Sequence, residues 1–327
     1  MKKRTWTIGV AGAVLTVTTL MSGVGLNNVA SAAAKKPYTI EFIPGLTTDP
    51  FYLSMERGVK YEAQKLGMKV IVQGASQWSY QLQTPIVRSV AVSKPDFLLI
   101  APNDINAMVA PLKQVHNAGI PIITVDTTIS DTSILVSRIT SNNYQGGQAA
   151  ADTMAKMIGY SGDVAVIGTM PGISTTDQRQ KGFLDQMKKK YPKIHVVSVQ
   201  YSNDNQTTAA VETKDILLTH PQLKGVFGLN TYSAVGAANA FAAKKEKGVL
   251  ISYDAEPQEI QYVRQGVIQA LVVQKPYAEG VLAVQYAYDY LTGKKKAIKP
   301  SVVIPNIVAT KANLNVPSVK KWFYTSN

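Results

Sequence analysis

The chain has 327 residues, of which 46% are hydrophobic and 17% charged, with 23 glycines, 16 prolines and no cysteine. This length exceeds one typical domain, so two domains of about 100–200 residues each are expected. The apolar content excludes a wholly disordered chain, and the lack of a Gly or Pro period excludes a fibrous one. Without cysteine, the sequence has no disulfide, no thiolate metal ligand and no cysteine nucleophile.

The first residues have the layout of a cleaved secretory signal peptide. Basic residues at 2–4 precede an uncharged stretch over 6–20, and small residues at 30–32 suit a cleavage site. We therefore predict a signal peptide over residues 1–34 and an extracytoplasmic protein, in a periplasm or at a cell surface. The net charge of +13 would fall to +10 after cleavage. In that location a basic surface favours anionic envelope polymers or lipid head groups, so no nucleic-acid partner is expected.

After the leader, short apolar runs alternate with amphipathic stretches. In chain order they predict strand 38–44, helix 51–66, strand 68–73, helix 80–92, strand 97–101, helix 106–118, strand 121–126, helix 147–158, strand 164–168, helix 178–191, strand 195–200, helix 207–218, strand 226–229, helix 234–243, strand 249–253, helix 257–265, strand 268–273 and helix 277–291. Runs such as 97–101 are apolar throughout, which is typical of parallel strands buried on both faces. The pattern predicts an α/β fold of two similar, doubly wound parallel sheets.

Polar and aromatic residues follow most of the predicted strands. In open parallel sheets the ligand crevice lies at these strand ends. Carboxylates and amides exchange hydrogen bonds with hydroxyl groups, and aromatic faces suit the C–H face of a sugar ring. Asp and Asn are also common in turns and helix caps. Because most strand ends share the feature, we favour a polar-ligand cleft formed by Asp49, Phe51, Tyr52, Asp126, Asn230, Tyr232, Asp254 and Gln274.

Motifs for catalysis and cofactor binding are missing from the sequence. It contains no Gly-x-x-x-x-Gly-Lys-Ser/Thr phosphate loop, no Gly-x-Gly-x-x-Gly after a strand and no Gly-x-Ser-x-Gly. The histidines His116, His195 and His220 are scattered and form no metal-binding spacing. We expect no cofactor, no metal and no catalytic residues, and therefore a protein that is not an enzyme.

Several segments together resemble the ribose-type sugar-binding proteins of ABC importers. The similar segments are Leu46-Thr-Thr-Asp-Pro-Phe-Tyr-Leu-Ser-Met, Glu62-Ala-Gln-Lys-Leu-Gly, Leu98-Leu-Ile-Ala-Pro-Asn-Asp, Gly119-Ile-Pro-Ile-Ile-Thr-Val-Asp, Ser141-Asn-Asn-Tyr-Gln-Gly-Gly, Arg179-Gln-Lys-Gly-Phe, Thr219-His-Pro, Val226-Phe-Gly-Leu-Asn, Ser252-Tyr-Asp and Gln274-Lys-Pro-Tyr. They cover nearly the whole chain after the leader. Each is weak alone, but the combination is specific.

The resemblance implies two α/β lobes joined by three crossing strands, with the ligand in the cleft between them. The implied lobes are residues 37–141 plus 276–304, and residues 142–274 plus 305–327. Three crossings permit a hinge motion between an open and a closed form. The implied partner is an ABC permease that accepts the ligand from a monomeric receptor. The tail over 313–327 is expected to pack as a short helix on the second lobe.

The resemblance also implies roles for individual residues. Phe51 and Tyr52 would stack on the ligand ring, and Asp126 would accept two adjacent hydroxyls. Arg179 would donate a planar fork of N–H groups that Lys cannot reproduce. Asn230, Asp254 and Gln274 would complete the polar shell.

The sequence departs from the family pattern at three positions. Asp49 stands where ribose binders commonly carry Asn, and Thr127 replaces a basic residue. Asp204 replaces a stacking aromatic, for which Tyr232, Tyr201 or Trp78 could substitute. The cleft thus has an extra acid and one fewer base than a ribose pocket.

We expect a neutral polyhydroxylated ligand, such as a pentose, hexose, polyol or inositol, with an amino sugar as an open alternative. An anionic sugar is disfavoured because Arg179 is the one candidate cation. A second function stays open: a sensor that presents a sugar or an autoinducer-2-like signal to a chemoreceptor or histidine kinase. A sugar-responsive repressor would need a helix-turn-helix where the leader stands. An extracellular enzyme is the weakest alternative.

Overall fold

The structure, a computed structural model, describes residue 7, residues 36–244 and residues 248–324. Apart from residue 7, the predicted signal peptide lies outside the described residues. The chain divides into Met1–Lys36 and one compact unit, Pro37–Asn327, and every helix and strand given below belongs to the second unit. In the described part of the chain, no helix combines the length and the apolar character that crossing a membrane requires.

The first sheet has six parallel strands, in the spatial order β11-β5-β4-β3-β1-β2. Its strands are β1 (Thr39–Ile43), β2 (Lys69–Val72), β3 (Phe97–Ile100), β4 (Ile122–Val125), β5 (Ser137–Ser141) and β11 (Ser301–Ile304). The helices between these strands in the chain are α1 (Pro50–Lys65), α2 (Tyr80–Ser93) and α3 (Val109–Asn117), and α9 (Pro276–Leu291) packs against α1.

The second sheet repeats this arrangement in the order β12-β10-β9-β8-β6-β7, with β12 alone antiparallel to its neighbour. Its strands are β6 (Gly162–Gly168), β7 (Ile194–Tyr201), β8 (Leu223–Gly228), β9 (Val249–Tyr253), β10 (Ala270–Val273) and β12 (Ile307–Thr310). The helices that accompany them are α4 (Asn143–Met157), α5 (Ser174–Lys190), α6 (Gln206–Thr219), α7 (Thr231–Lys244), α8 (Pro257–Gln265) and α10 (Pro317–Lys320).

Local sequence explains these elements. All four residues of β3 and all four of β4 are buried, as expected of apolar strands covered by helices on both faces. Asp49 caps the start of α1 by accepting the Phe51 N–H, and Pro50 occupies the first turn, where no N–H is needed. Gly67 adopts a φ of +68° just after that helix, a conformation that glycine reaches without strain.

The chain passes between the two sheets three times. It leaves the first sheet after β5, returns after β10, and crosses again between β11 and β12. The amide of Asn306, in the last crossing, donates to the Asn142 carbonyl in the first crossing at 2.9 Å. The predicted fold class, two doubly wound lobes joined by three crossing strands, is therefore confirmed.

Three strands were not among the predicted elements. β5 has the sequence SRITS, in which one apolar residue among five gives no strand pattern. β11 and β12 have only four residues each. These strands form by pairing with a neighbour that is distant in sequence, such as β11 with β5. Such pairing leaves no periodic signal in a short segment.

Helices α4 and α5 approach so closely that their contact depends on glycine. A Cβ atom at Gly182 of α5 would collide with the Tyr144 carbonyl oxygen of α4, and one at Gly147 would collide with the Arg179 carbonyl oxygen. Because both obstacles are backbone atoms, no side-chain rotation can relieve the collision. This contact sets the position of the helix that carries Arg179.

We expect Gly182→Ala to lower the free energy of unfolding by about 1–3 kcal/mol, because the methyl group forces the two helices apart. Denaturant unfolding followed by circular dichroism measures this change. Lys189→Ala, at an exposed position of the same helix, is the control and should stay within about 0.5 kcal/mol of the parent. Equal stability of the two variants would contradict the close-packing argument.

Candidate functional site

The candidate site is a cavity between the carboxyl ends of the strands of both sheets. The space between its walls, including its open mouth, is about 450 Å³. The order of strands in each sheet reverses at β1 and β6, and doubly wound folds place ligands at such switch points. The lining residues are Leu46, Asp49, Phe51, Tyr52, Trp78, Asp126, Thr169, Ile173, Thr175, Thr176, Arg179, Asp204, Asn230, Asp254 and Gln274.

Nine of the ten predicted site residues line this cavity. Tyr232 is the exception: it is half-buried beside the cavity and is not part of the wall. Burial, and next the charge of Asp49, raise the pKa of its hydroxyl. Among the three aromatic residues considered as replacements for the missing stacking face, only Trp78 contributes to the wall. The ligand contacts themselves stay a prediction.

An aromatic cluster forms the first-lobe wall of the cavity. The Phe51 and Tyr52 rings meet edge to face with centroids 5.0 Å apart, and Tyr52 stacks with Trp78 at 6.3 Å. The Trp78 indole N–H donates to the Asn103 carbonyl oxygen at 3.0 Å, which fixes its orientation. These flat apolar faces can pack against the C–H groups of a ring or against a cation.

Arg179 lies at the centre of the site with its charge buried. Its Nε donates to Asn143 Oδ1 and its Nη1 to the Leu229 carbonyl oxygen, both at 2.8 Å. The guanidinium carbon stands 3.7 Å from the centroid of the Tyr253 ring, and Nη1 is 3.8 Å from Asp254 Oδ2. The planar group is thus held on its face and along two edges, so its orientation is set before a ligand arrives.

Asp126 and Asp254 occupy equivalent places in the two sheets. Each is the first residue after the fourth strand in chain order, with φ values of +59° and +97°. The backbone N–H of Asp126 donates to the Ile139 carbonyl oxygen, and that of Asp254 to the Val272 carbonyl oxygen, both at 2.9 Å. Such left-handed conformations are costly outside glycine and cluster at functional sites. The fold uses the same backbone arrangement twice to direct a carboxylate into the cleft.

The two carboxylates have different partners. Asp126 Oδ2 accepts the Tyr52 hydroxyl at 2.6 Å, whereas its buried Oδ1 has no hydrogen-bond partner among the described residues. Asp254 Oδ1 accepts both Gln274 Nε2 at 2.6 Å and the Tyr324 hydroxyl at 3.1 Å. The Gln274 Oε1 atom is likewise buried and unpartnered within the described residues. Two residues that line the cavity therefore each keep one buried acceptor atom without a protein partner among the described residues.

Tyr324 is a site residue that sequence reasoning missed. The predicted short helix forms as α10, but the chain then continues so that Tyr324 is fully buried. Its hydroxyl accepts the Gln274 N–H at 3.2 Å while donating to Asp254, and its ring meets Phe51 at 5.6 Å. The tail thus positions Asp254 and Gln274, two of the predicted ligand-binding residues. No motif marks this role, because it depends on a contact across 70 residues of sequence.

The residues at the β6 end of the cavity were also not among the predicted site residues. Thr169, Ile173, Thr175 and Thr176 line it, and the Thr169 and Thr176 hydroxyls are 3.0 Å apart. The available signal was Thr169, which directly follows a strand as the other predicted residues do.

The cavity is strongly acidic. Among the described residues, its wall holds four carboxylates and one basic side chain, that of Arg179. Burial and then repulsion by Asp254 raise the pKa of Asp49 to about 7, and burial raises those of Asp126 and Asp204 to about 6. No three acidic or histidine side chains of the described residues are grouped so that they could hold a metal ion.

The two lobes touch directly beside the cavity. The Ile105 N–H of the first lobe donates to the Gly172 carbonyl oxygen of the second at 3.0 Å. The Thr128 N–H donates to Ser174 Oγ at 2.9 Å. These two hydrogen bonds join the lobes beside the site.

We expect Asp204→Asn to raise the free energy of unfolding of the ligand-free protein near pH 7 by about 2 kcal/mol. The folded state raises the pKa of Asp204 from 3.8 to about 6. Its contribution to stability is therefore fully present below about pH 4 and lost as pH rises through about 6. Asn avoids this loss, tolerates the left-handed backbone and keeps an acceptor for Asn230.

Denaturant unfolding between about pH 4 and pH 8 measures this effect. Asp215→Asn, on the exposed face of α6, serves as the control and should leave the pH profile unchanged. A parent-like profile for Asp204→Asn would contradict the assigned burial of its charge.

Comparisons with known proteins agree with this geometry. A family model for the periplasmic binding protein domain matches residues 40–295. The ribose import binding protein RbsB of Bacillus subtilis is 30% identical over 266 residues, which cover 81% of this chain and 86% of that protein.

Two solved solute-binding proteins of sugar transporters have the same fold. One, from Agrobacterium vitis with bound α-D-tagatopyranose, is 35% identical with a TM-score of 0.85, covering 88% of this chain and 99% of its own. Another, from Agrobacterium radiobacter with D-arabinose, is 30% identical with a TM-score of 0.84, covering 89% and 100%. The resemblance found in the sequence is therefore confirmed, and this chain belongs to the periplasmic binding protein family.

Proposed function

We propose that this protein is an extracytoplasmic receptor that captures a monosaccharide-like ligand between its lobes and delivers it to an ABC permease. Its relatives include proteins named for ribose and D-apiose import and solute-binding proteins solved with D-arabinose and D-fucose. The basic N-terminal segment with its small-residue cleavage site supports export. The receptor acts as a monomer, with one cavity between its own two lobes.

One observation carries the proposal: polar groups from both lobes converge on one cavity, and some of the buried ones lack protein partners among the described residues. Asp126 Oδ1 comes from the first lobe and Gln274 Oε1 from the hinge, and neither has a partner among the described residues. Burying an acceptor without a hydrogen bond costs about 1–3 kcal/mol. A ligand with several hydroxyl groups removes this cost by donating hydrogen bonds to such acceptors. It makes most of these bonds when both lobes surround it.

Closure of the lobes couples binding to recognition by the permease. We propose that residues 37–141 plus 276–304 move as one lobe and residues 142–274 plus 305–327 as the other, about the three crossings. The bonds from Ile105 to Gly172 and from Thr128 to Ser174 join the lobes in the closed form. A ligand that bridges Asp126 and Arg179 adds to these contacts and shifts the population toward closure.

We further propose that the cleft binds its ligand without transforming it. The three histidines lie outside the cavity wall, as does every lysine of the described residues. The carboxylates serve as acceptors for Tyr52, Asn230, Gln274 and Tyr324. This arrangement supports binding.

Thermal unfolding in the presence of pentoses, hexoses, polyols, inositols, amino sugars and sugar phosphates tests the receptor function. A ligand at about 100 times its Kd stabilises the folded protein by about 2.7 kcal/mol, which raises Tm by several degrees. We expect a selective rise with one group of sugars or polyols, and none with sugar phosphates because the cavity is acidic. The absence of any rise across the carbohydrates would contradict the proposal.

Arg179→Ala is expected to weaken binding of the best ligand from this set by about 2–4 kcal/mol, because a buried charged donor is lost. Isothermal titration calorimetry gives the change in Kd, and circular dichroism checks that the fold is kept. Arg264→Ala, at an exposed position of α8, provides the control and should bind as the parent does. Parent-like affinity of Arg179→Ala would contradict a role of Arg179 in ligand binding.

A further inference from the structure

We propose that the cleft selects a sugar or polyol that carries a protonated amine, and that Asp49 and Asp204 hold the ammonium group. This inference rests on the proposed receptor function and narrows its ligand class. It replaces the neutral ligand favoured by the sequence with the amino-sugar alternative. The reasons are the balance of charge, the hydrogen-bonding character of the wall and the position of the aromatic cluster.

The balance of charge comes first. Asp254 and Asp126 both interact with the Arg179 guanidinium, Asp254 through a 3.8 Å contact. Asp49 and Asp204 form no ion pair within the described residues. Asp49 Oδ1 accepts the Phe51 N–H at 2.8 Å, and Asp204 Oδ1 accepts Asn230 Nδ2 at 2.7 Å. Two half-buried carboxylates of the wall thus have no protein cation beside them among the described residues.

Both carboxylates are repelled by the charge of Asp254. Burial and then repulsion by Asp254, with Asp204 also contributing, raise the pKa of Asp49 to about 7. Burial raises the pKa of Asp204 to about 6, and the charge of Asp254 adds to the increase. A buried cation between them would favour the charged form of both. A neutral hydroxyl group supplies a hydrogen bond but leaves the mutual repulsion in place.

The unpartnered atoms of the wall give an independent reason. Asp126 and Gln274 are both more than nine-tenths buried, and each has one acceptor oxygen without a partner among the described residues. A ligand rich in hydrogen-bond donors would therefore suit this wall. An ammonium group donates three hydrogen bonds and accepts none, whereas a hydroxyl donates one.

The aromatic cluster favours the same ligand class. Phe51, Tyr52 and Trp78 line the cavity together with Asp49. Aromatic faces attract cations most strongly where water is excluded. A metal ion is a poorer explanation of the acidic wall, because no three acidic side chains of the described residues are grouped to hold one.

Isothermal titration with matched pairs of compounds tests this inference. Each pair differs in one group: glucosamine and glucose, galactosamine and galactose, mannosamine and mannose, and 1-amino-1-deoxysorbitol and sorbitol. We expect at least one amine to bind about tenfold or more tightly than its hydroxyl partner. N-acetylation of that amine, which removes the charge, should abolish the preference.

The outcomes separate this inference from the proposed function. If the hydroxyl member of every pair binds as tightly as the amine or more tightly, the inference is overturned while the receptor function stands. If no compound of any pair, and no other carbohydrate, binds, both are overturned.

A pair of variants then tests the assigned residues. Asp204→Asn should lower the ratio of amine to hydroxyl affinity by about tenfold, because one of the two facing charges is lost. Loss of folding is not a concern at this position, since the substitution is expected to stabilise the ligand-free protein. Asp215→Asn, on the exposed face of α6, should keep the parent ratio. An unchanged ratio of amine to hydroxyl affinity in Asp204→Asn would contradict the assignment of Asp204 to the ammonium group.

Discussion

The cleft depends on the interactions that stabilise the buried guanidinium group of Arg179. A charge removed from water is stable only when hydrogen bonds and opposite charges replace its solvation. Asn143, the Leu229 carbonyl and the face of Tyr253 supply that replacement, and Asp254 balances the charge. These partners come from α4, from the segment after β8 and from the end of β9. The requirement to satisfy one cation therefore fixes how the helices and strands of the second lobe meet at the site.

The closed cleft repeats one structural device in two lobes. Asp126 and Asp254 follow equivalent strands, adopt left-handed backbone conformations, and are held by a hydrogen bond to the next strand. Each lobe thus presents a carboxylate to the space between them, and Arg179 reaches toward both. Because the two carboxylates stand on different lobes, the favourable arrangement exists only when the lobes are together. The proposed ligand recognition and the proposed closure of the lobes therefore depend on the same geometry.

Much of the fold followed from local sequence. Apolar runs such as β3 and β4, and the amphipathic stretches between such runs, predicted both the elements and their alternation. The rule that ligands bind at strand ends then identified Asp126, Asp254 and Gln274 before any contact was known. The same rule would have found Thr169. It failed for Tyr232, because following a strand does not determine which way a side chain points. It also failed for Tyr324, which belongs to no strand end.

The sequence by itself determined the alternation of strands and helices and most of the residues that line the cleft, because burial and turn chemistry act over a few neighbouring residues. Only the tertiary structure decided the pairing of β5 with β11, the reach of Tyr324 to Asp254 and the pairing of charges around Arg179. These features join residues that are far apart in the chain. Their energies depend on distance and burial in three dimensions, which no local pattern of residues records. The sequence alone places acidic residues near the strand ends, whereas the structure shows which two carboxylates of the cavity wall have no cation beside them among the described residues.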